Sequence, residues 1–187
     1  MSKRLTLILG GVRAGKSSYA QRLAAKGGRV LFVATAEAGD REMAARIKAH
    51  RENRPTDWTT LEEPIELADA VTPLLHRHDT VLLDCLTLWV SNLLLRDQDT
   101  ESARKDILAR TRQLLELCQS GDKSWIIVSN EVGLGVVPPT ELGRIYADEL
   151  GRVNQLVAAE ANDVYFMAAG LPLEMKSSNR RGDTAVS

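Results

Sequence analysis

The chain is poor in cysteine: Cys85 and Cys118 are its two thiols, far apart and without any CxxC pair. That excludes a disulfide scaffold and a cysteine zinc site, and leaves room for one bridge at most. It also lacks an excess of either charge. Twenty-four lysines and arginines stand against 25 acids, a net charge of −1, so no bulk field draws the protein to nucleic acid or to an anionic membrane. Long apolar runs are missing too, and stretches such as Val164–Gly170 fall far short of the ~20 residues of a spanning helix. Leu5–Leu9 is too short for a signal-peptide core, and no small-residue cleavage site follows it. What is present is ordinary globular material. With 187 residues, 44% of them hydrophobic, the chain can bury one full core. The reading is a soluble cytoplasmic protein of one domain, with small molecules rather than nucleic acid or membrane as its partners.

Short apolar runs alternate with amphipathic stretches. Strands are predicted at Arg4–Leu9, Val30–Ala34, Trp58–Leu61, Thr80–Leu83, Ser124–Ser129 and Val164–Ala168. Helices are predicted at Ser17–Lys26, closed by Gly27–Gly28, and at Asp40–His50. Others follow at Pro64–Leu75, with Pro73 weakening the last turn, and at Leu86–Leu95, Ser102–Gln119 and Glu141–Asn162. The last of these turns Leu142, Ile145, Tyr146, Leu150, Val153, Leu156 and Val157 inward. Buried strands alternating with helices specify an α/β domain with a mostly parallel sheet covered on both faces. Residues 1–176 form the expected domain, and 177–187, polar and without periodicity, an expected flexible tail.

The strongest chemical signal is Gly10-Gly11-Val12-Arg13-Ala14-Gly15-Lys16-Ser17, which satisfies G-x(4)-G-K-[ST] between a predicted strand and a predicted helix. Glycines let successive backbone N–H groups converge on phosphate oxygens, and the helix adds its positive N-terminal end. Lys16 is placed to reach the outer phosphates and Ser17 to hold Mg²⁺. A magnesium-binding partner is expected at another strand end, and Asp84 after Thr80–Leu83 supplies it. Asp84 could alternatively cap the following helix. Glu131, beyond the Ser124–Ser129 strand, could cap its loop or orient a nucleophile. A regulatory GTPase is disfavoured, because no [NT]KxD stands at the late strand, where the residues are Ser129-Asn130-Glu131-Val132. A small-molecule kinase or nucleotidyltransferase remains.

Of three histidines, His76 and His78 lie in HRHD at a strand start, where solvent exposure is the simplest expectation. His50 ends the Asp40–His50 helix beside Arg46, Arg51 and Arg54. The helix dipole alone favours histidine there. A neutral imidazole among cations is equally a competent nucleophile toward phosphorus.

Six segments, taken together, decide between these roles: GGVRAGKS (Gly10–Ser17), VLFVATA (Val30–Ala36), EMAARIKAHRENRP (Glu42–Pro55), LLDCLTLWVSNLL (Leu82–Leu94), VSNEVGLGVVP (Val128–Pro138) and GRVNQLVA (Gly151–Ala158). In this order they resemble the bifunctional cobinamide kinase and cobinamide-phosphate guanylyltransferase family of cobalamin biosynthesis, and the resemblance covers most of the chain, from Gly10 to about Ala169. The resemblance implies a single P-loop NTPase domain of RecA-like fold with two transferase activities. One phosphorylates adenosylcobinamide from ATP or GTP. The other moves GMP from GTP onto adenosylcobinamide phosphate through a guanylyl-histidine, releasing pyrophosphate. It makes His50 and Lys16 the catalytic residues, with Ser17 and Asp84 on Mg²⁺. Nucleotide contacts carry over to Gly10–Ser17, Ala34, Thr35, Ala36, Arg51, Glu52, Asn53, Arg54, Glu62 and Asp84. It also implies a homotrimer. Where some relatives have Glu, this chain has Asp84, an acid of slightly shorter reach. The rivals are a phosphate-loop kinase for another metabolite, with His50 structural, and a non-catalytic nucleotide-dependent regulator.

Overall fold

A computed structural model describes residues 4–37, 54–97 and 99–178. The predicted Asp40–His50 helix, and with it His50, Arg51, Glu52 and Asn53, lies outside the described residues, as does most of the 177–187 segment. Seven strands form one sheet: β1 Arg4–Gly10, β2 Val30–Ala34, β3 Thr59–Glu62, β4 Thr80–Asp84, β5 Ser124–Val128, β6 Asp163–Ala168 and β7 Leu171–Lys176. Their spatial order is β3-β2-β4-β5-β1-β6-β7, all parallel except β7, which returns antiparallel to β6. The described helices are α1 Lys16–Ala24, α2 Leu67–Val71, α3 Leu86–Arg96, α4 Thr100–Ser120 and α5 Glu141–Glu160.

Alternation along the central strands splits the core in two. Leu5, Leu7, Val33, Leu83, Trp125 and Ile127 point to the face covered by α2 to α5. Ile8, Phe32, Leu82, Ile126 and Val128 point to the other, where Ala20 and Ala24 of α1 meet them. Because both faces are buried, β2 and β5 read as unbroken apolar runs, the pattern that marks a doubly covered parallel sheet.

Several expectations shift. The helix predicted at Pro64–Leu75 begins only at Leu67 and tightens into a 3₁₀ turn over Thr72–Arg77. The Glu63 carboxylate accepts from the N–H groups of Ile65 and Glu66, each at 2.8 Å, and holds the preceding segment as a turn. Pro73 lacks the donor that an α-helix there would need. Leu142, assigned inward, is exposed in the first turn of α5. His78 is buried rather than exposed: its Nδ1 donates to the Leu74 carbonyl and its Nε2 pairs with the Thr59 hydroxyl, both at 2.8 Å. The strand β7 was not expected. Its signal is the alternation of Leu171, Leu173 and Met175 after Gly170, and Pro172 fits because an edge strand tolerates a missing donor.

Candidate active site

The phosphate loop leaves the C-terminal end of β1 and enters α1. Gly10 has φ +147° and Gly15 φ +93°, backbone states that glycine adopts readily, and Arg13 is also left-handed at +58°. A side chain at Gly10 would stand 2.5 Å from the Met167 carbonyl oxygen of β6. The loop is braced from the side by the β6–β7 turn, where Gly170 N–H donates to the Ala14 carbonyl at 3.1 Å. At the start of α1 no side chain caps the helix and its first turn holds no acid, so its free N–H groups are available to an anion.

Lys16 is buried, and its ammonium donates to the Gly11 carbonyl at 2.6 Å. Burial pulls it below the ordinary lysine range, opposed by the nearby Cys85 and Asp84. Asp84 ends β4, whose neighbour in the sheet is β5, the strand beside β1. The N-cap of the helix that follows is Cys85, and no side chain caps it, so Asp84 does not serve as the cap. Burial, with a contribution from Asp84, pushes the Cys85 thiol up to about 11, which leaves it a poor nucleophile.

Val12, Arg13, Lys16, Ser17, Ala34, Ala36, Arg54, Glu62 and Asp84 line one cleft of about 260 Å³ at the C-terminal ends of the strands. In open parallel sheets this is the edge at which ligands bind. Nine residues distant in sequence thus converge, and Gly10, Gly11, Ala14 and Gly15 complete the loop along one wall. Thr35 does not line the cleft. It is fully buried, and its hydroxyl donates to the Cys85 carbonyl at 2.7 Å while accepting from the Cys85 N–H at 2.9 Å. It ties the end of β2 to the end of β4 and so sets the spacing between the Ala34–Ala36 wall and Asp84. Arg54 lies over the ring of Phe32, its guanidinium carbon 3.8 Å from the centroid, and Trp58 stacks on the same ring.

Phe32, Cys85, Thr87, Leu88 and Asn130 also line the cleft and were not anticipated. Phe32 is hidden within an apolar strand run, and nothing in the sequence separates it from its neighbours. Asn130 has a signal, its place beside Glu131 just past β5. Its N–H donates to Thr87 Oγ1 at 2.7 Å and its carbonyl accepts from Asn154 Nδ2 at 3.0 Å. Glu131 braces its loop: its carboxylate accepts from Gly133 N–H at 2.9 Å, and its own N–H donates to the Gly10 carbonyl at 3.2 Å.

A family model described as cobinamide kinase / cobinamide phosphate guanyltransferase matches residues 6–175. Among curated relatives, the bifunctional adenosylcobalamin biosynthesis protein CobP of Pseudomonas aeruginosa is 48% identical over 171 residues, 91% of this chain and 96% of that protein. The bifunctional adenosylcobalamin biosynthesis protein CobU of Escherichia coli K12 is 37% identical over 180 residues, 92% of this chain and 99% of its own length. Its counterpart from Salmonella typhimurium is 36% identical over the same coverage. No helix among the described residues is long and apolar enough to cross a membrane.

Proposed function

Because this chain belongs to the cobinamide kinase / cobinamide phosphate guanyltransferase family, we propose that it modifies one corrinoid twice, first as a kinase and then as a guanylyltransferase. In the kinase step the aminopropanol hydroxyl of adenosylcobinamide attacks the γ-phosphorus of ATP or GTP. The bond from that phosphorus to the β-phosphate oxygen breaks, a nucleoside diphosphate leaves and the hydroxyl proton is lost to solvent. In the second step the His50 imidazole attacks the α-phosphorus of GTP and pyrophosphate leaves. A phosphate oxygen of adenosylcobinamide phosphate then attacks the same phosphorus and releases the histidine, giving adenosylcobinamide-GDP.

The observation that carries this reading is the convergence of the Lys16–Ser17 end of the phosphate loop with Asp84, Arg54 and Glu62 on one nucleotide-sized cleft. Lys16 offsets charge on the departing phosphates, and Arg54 does the same for the α-phosphoryl oxygens, both electrostatic roles. Glu62 can accept hydrogen bonds from sugar or base. The hard oxygen donors of Ser17 and Asp84 suit magnesium, and the described residues hold no cluster of three or more His, Cys, Asp or Glu that would bind a metal alone. They fit a magnesium ion shared with the nucleotide, which when bound neutralises phosphate charge. The role of His50, flanked by Arg51, Glu52 and Asn53 as further nucleotide contacts, rests on the sequence resemblance. So does a homotrimeric assembly.

The decisive experiment mixes protein, Mg²⁺ and GTP labelled at the α-phosphate without acceptor, followed by denaturing electrophoresis. A protein-bound label that is acid-labile, stable in alkali and absent from His50→Ala is expected. Transfer of γ-phosphate to cobinamide with no α-label would reduce the protein to a kinase and return His50 to a helix-end role. Lys16→Ala is expected to lower both reactions by at least about 100-fold.

A further inference from the structure

We propose that the exposed loop Val132–Val137, together with Val12, is the docking surface for the corrin ring, so that only the aminopropanol arm enters the cleft. This rests on the corrinoid reading above. The cleft, about 260 Å³, suits a nucleotide and cannot also hold a macrocycle with its amide arms. The propionamide and aminopropanol that join ring to acceptor oxygen reach about as far as three residues of extended chain, roughly 10 Å. The ring must therefore rest on protein at the lip of the cleft.

The loop leaves from that lip. It follows Asn130, which lines the cleft, and Glu131, whose N–H donates to the Gly10 carbonyl. Its side chains are apolar yet uncovered by the rest of the chain: Leu134 is 77% exposed, Val136 95% and Val137 72%, while Val12 on the adjoining phosphate loop is 77% exposed. A β-carbon added at Gly135 would meet nothing within 4 Å. Exposed apolar side chains gathered on one loop beside a cleft mark a binding surface. Between Glu131 and Glu141 the sequence has no charged residue. The loop itself is thus apolar and uncharged, with Arg13 beside Val12 and Arg144 on the Pro138 and Pro139 carbonyls at its margins, and its exposed aliphatic side chains suit the broad amphipathic ring of an alkylcobalt(III) corrin.

The test is equilibrium dialysis of the full chain against cobinamide, with no nucleotide present. Replacing Leu134 and Val136 together by serine is expected to weaken cobinamide binding by at least about tenfold through lost apolar contact, with GTP affinity and melting temperature unchanged. Leu95→Ser, an equally exposed leucine at the far end of α3, is expected to leave cobinamide affinity at the wild-type value. Unchanged cobinamide affinity in the double variant overturns the proposal. So does a smaller assembly mass in sedimentation of that variant, which would give the loop to a second copy of the chain. Since dialysis needs no turnover, a missing guanylyl-enzyme would refute the transferase reading without altering this readout.

Discussion

At the scale of single residues, charge placement separates function from stability. Asp79 lies at the opposite end of β4 from the cleft. It accepts from the Arg29 side chain and, at 2.9 Å, from the Arg29 N–H, which draws its carboxyl down to about 2 from the ordinary 3.8. A carboxyl whose folded value is depressed contributes stability that is present above its unfolded value and lost as pH falls through the folded one. Asp79→Asn is therefore expected to be less stable than wild type above about pH 4, with the gap closing toward pH 2 in denaturant titrations. A gap independent of pH would refute the pairing. At this scale the sequence was an uneven guide. Lys16, Ser17 and Asp84 could be singled out because phosphate chemistry restricts which residue types serve, and the fold brings the three to one cleft. Thr35 and His78 were not, since a threonine that clasps two strand ends and a histidine bridging a turn to a strand look like any polar residue.

At the scale of elements, the phosphate loop works because β1, α1 and the β6–β7 turn are packed without slack around it. Gly10→Ala forces a β-carbon against the Met167 carbonyl at an unfavourable φ. It is expected to cost about 1–3 kcal/mol and to weaken nucleotide binding. Gly11→Ala, whose β-carbon meets nothing within 4 Å, is expected to change stability by no more than about 0.5 kcal/mol. Paired thermal melts and GTP titrations of the two variants check this. Most strands and helices were legible from periodicity, since a twice-buried strand must be apolar throughout and a one-sided helix must be striped. The Pro64–Leu75 segment misled because its apolar spacing fits a helix, while Glu63 and Pro73 impose turns at its two ends.

At the scale of the whole molecule, the last strand coincides with the end of the family match. The family match ends at residue 175 and β7 at Lys176, whose ammonium donates to the Ala158 and Ala159 carbonyls at the end of α5. We propose that residues 1–176 are the catalytic unit. A chain ending at Lys176 is expected to keep wild-type melting temperature and both transfer rates, and a loss of either in the truncated protein would extend the unit into 177–187. Sedimentation is expected to give three times the 20.6 kDa chain mass.

By itself the sequence determined the α/β class, the phosphate-loop motif and the family, because each depends on local pattern or on residue types in fixed spacing. Only the tertiary structure decided that Phe32, Asn130 and Thr87 share a cleft with Lys16. It alone put an antiparallel edge strand against β6 and left the Val132–Val137 loop bare beside the site. Those are outcomes of strand order, which brings residues as far apart in sequence as Val12 and Asn130 to one sheet edge through crossovers that no local window of sequence records.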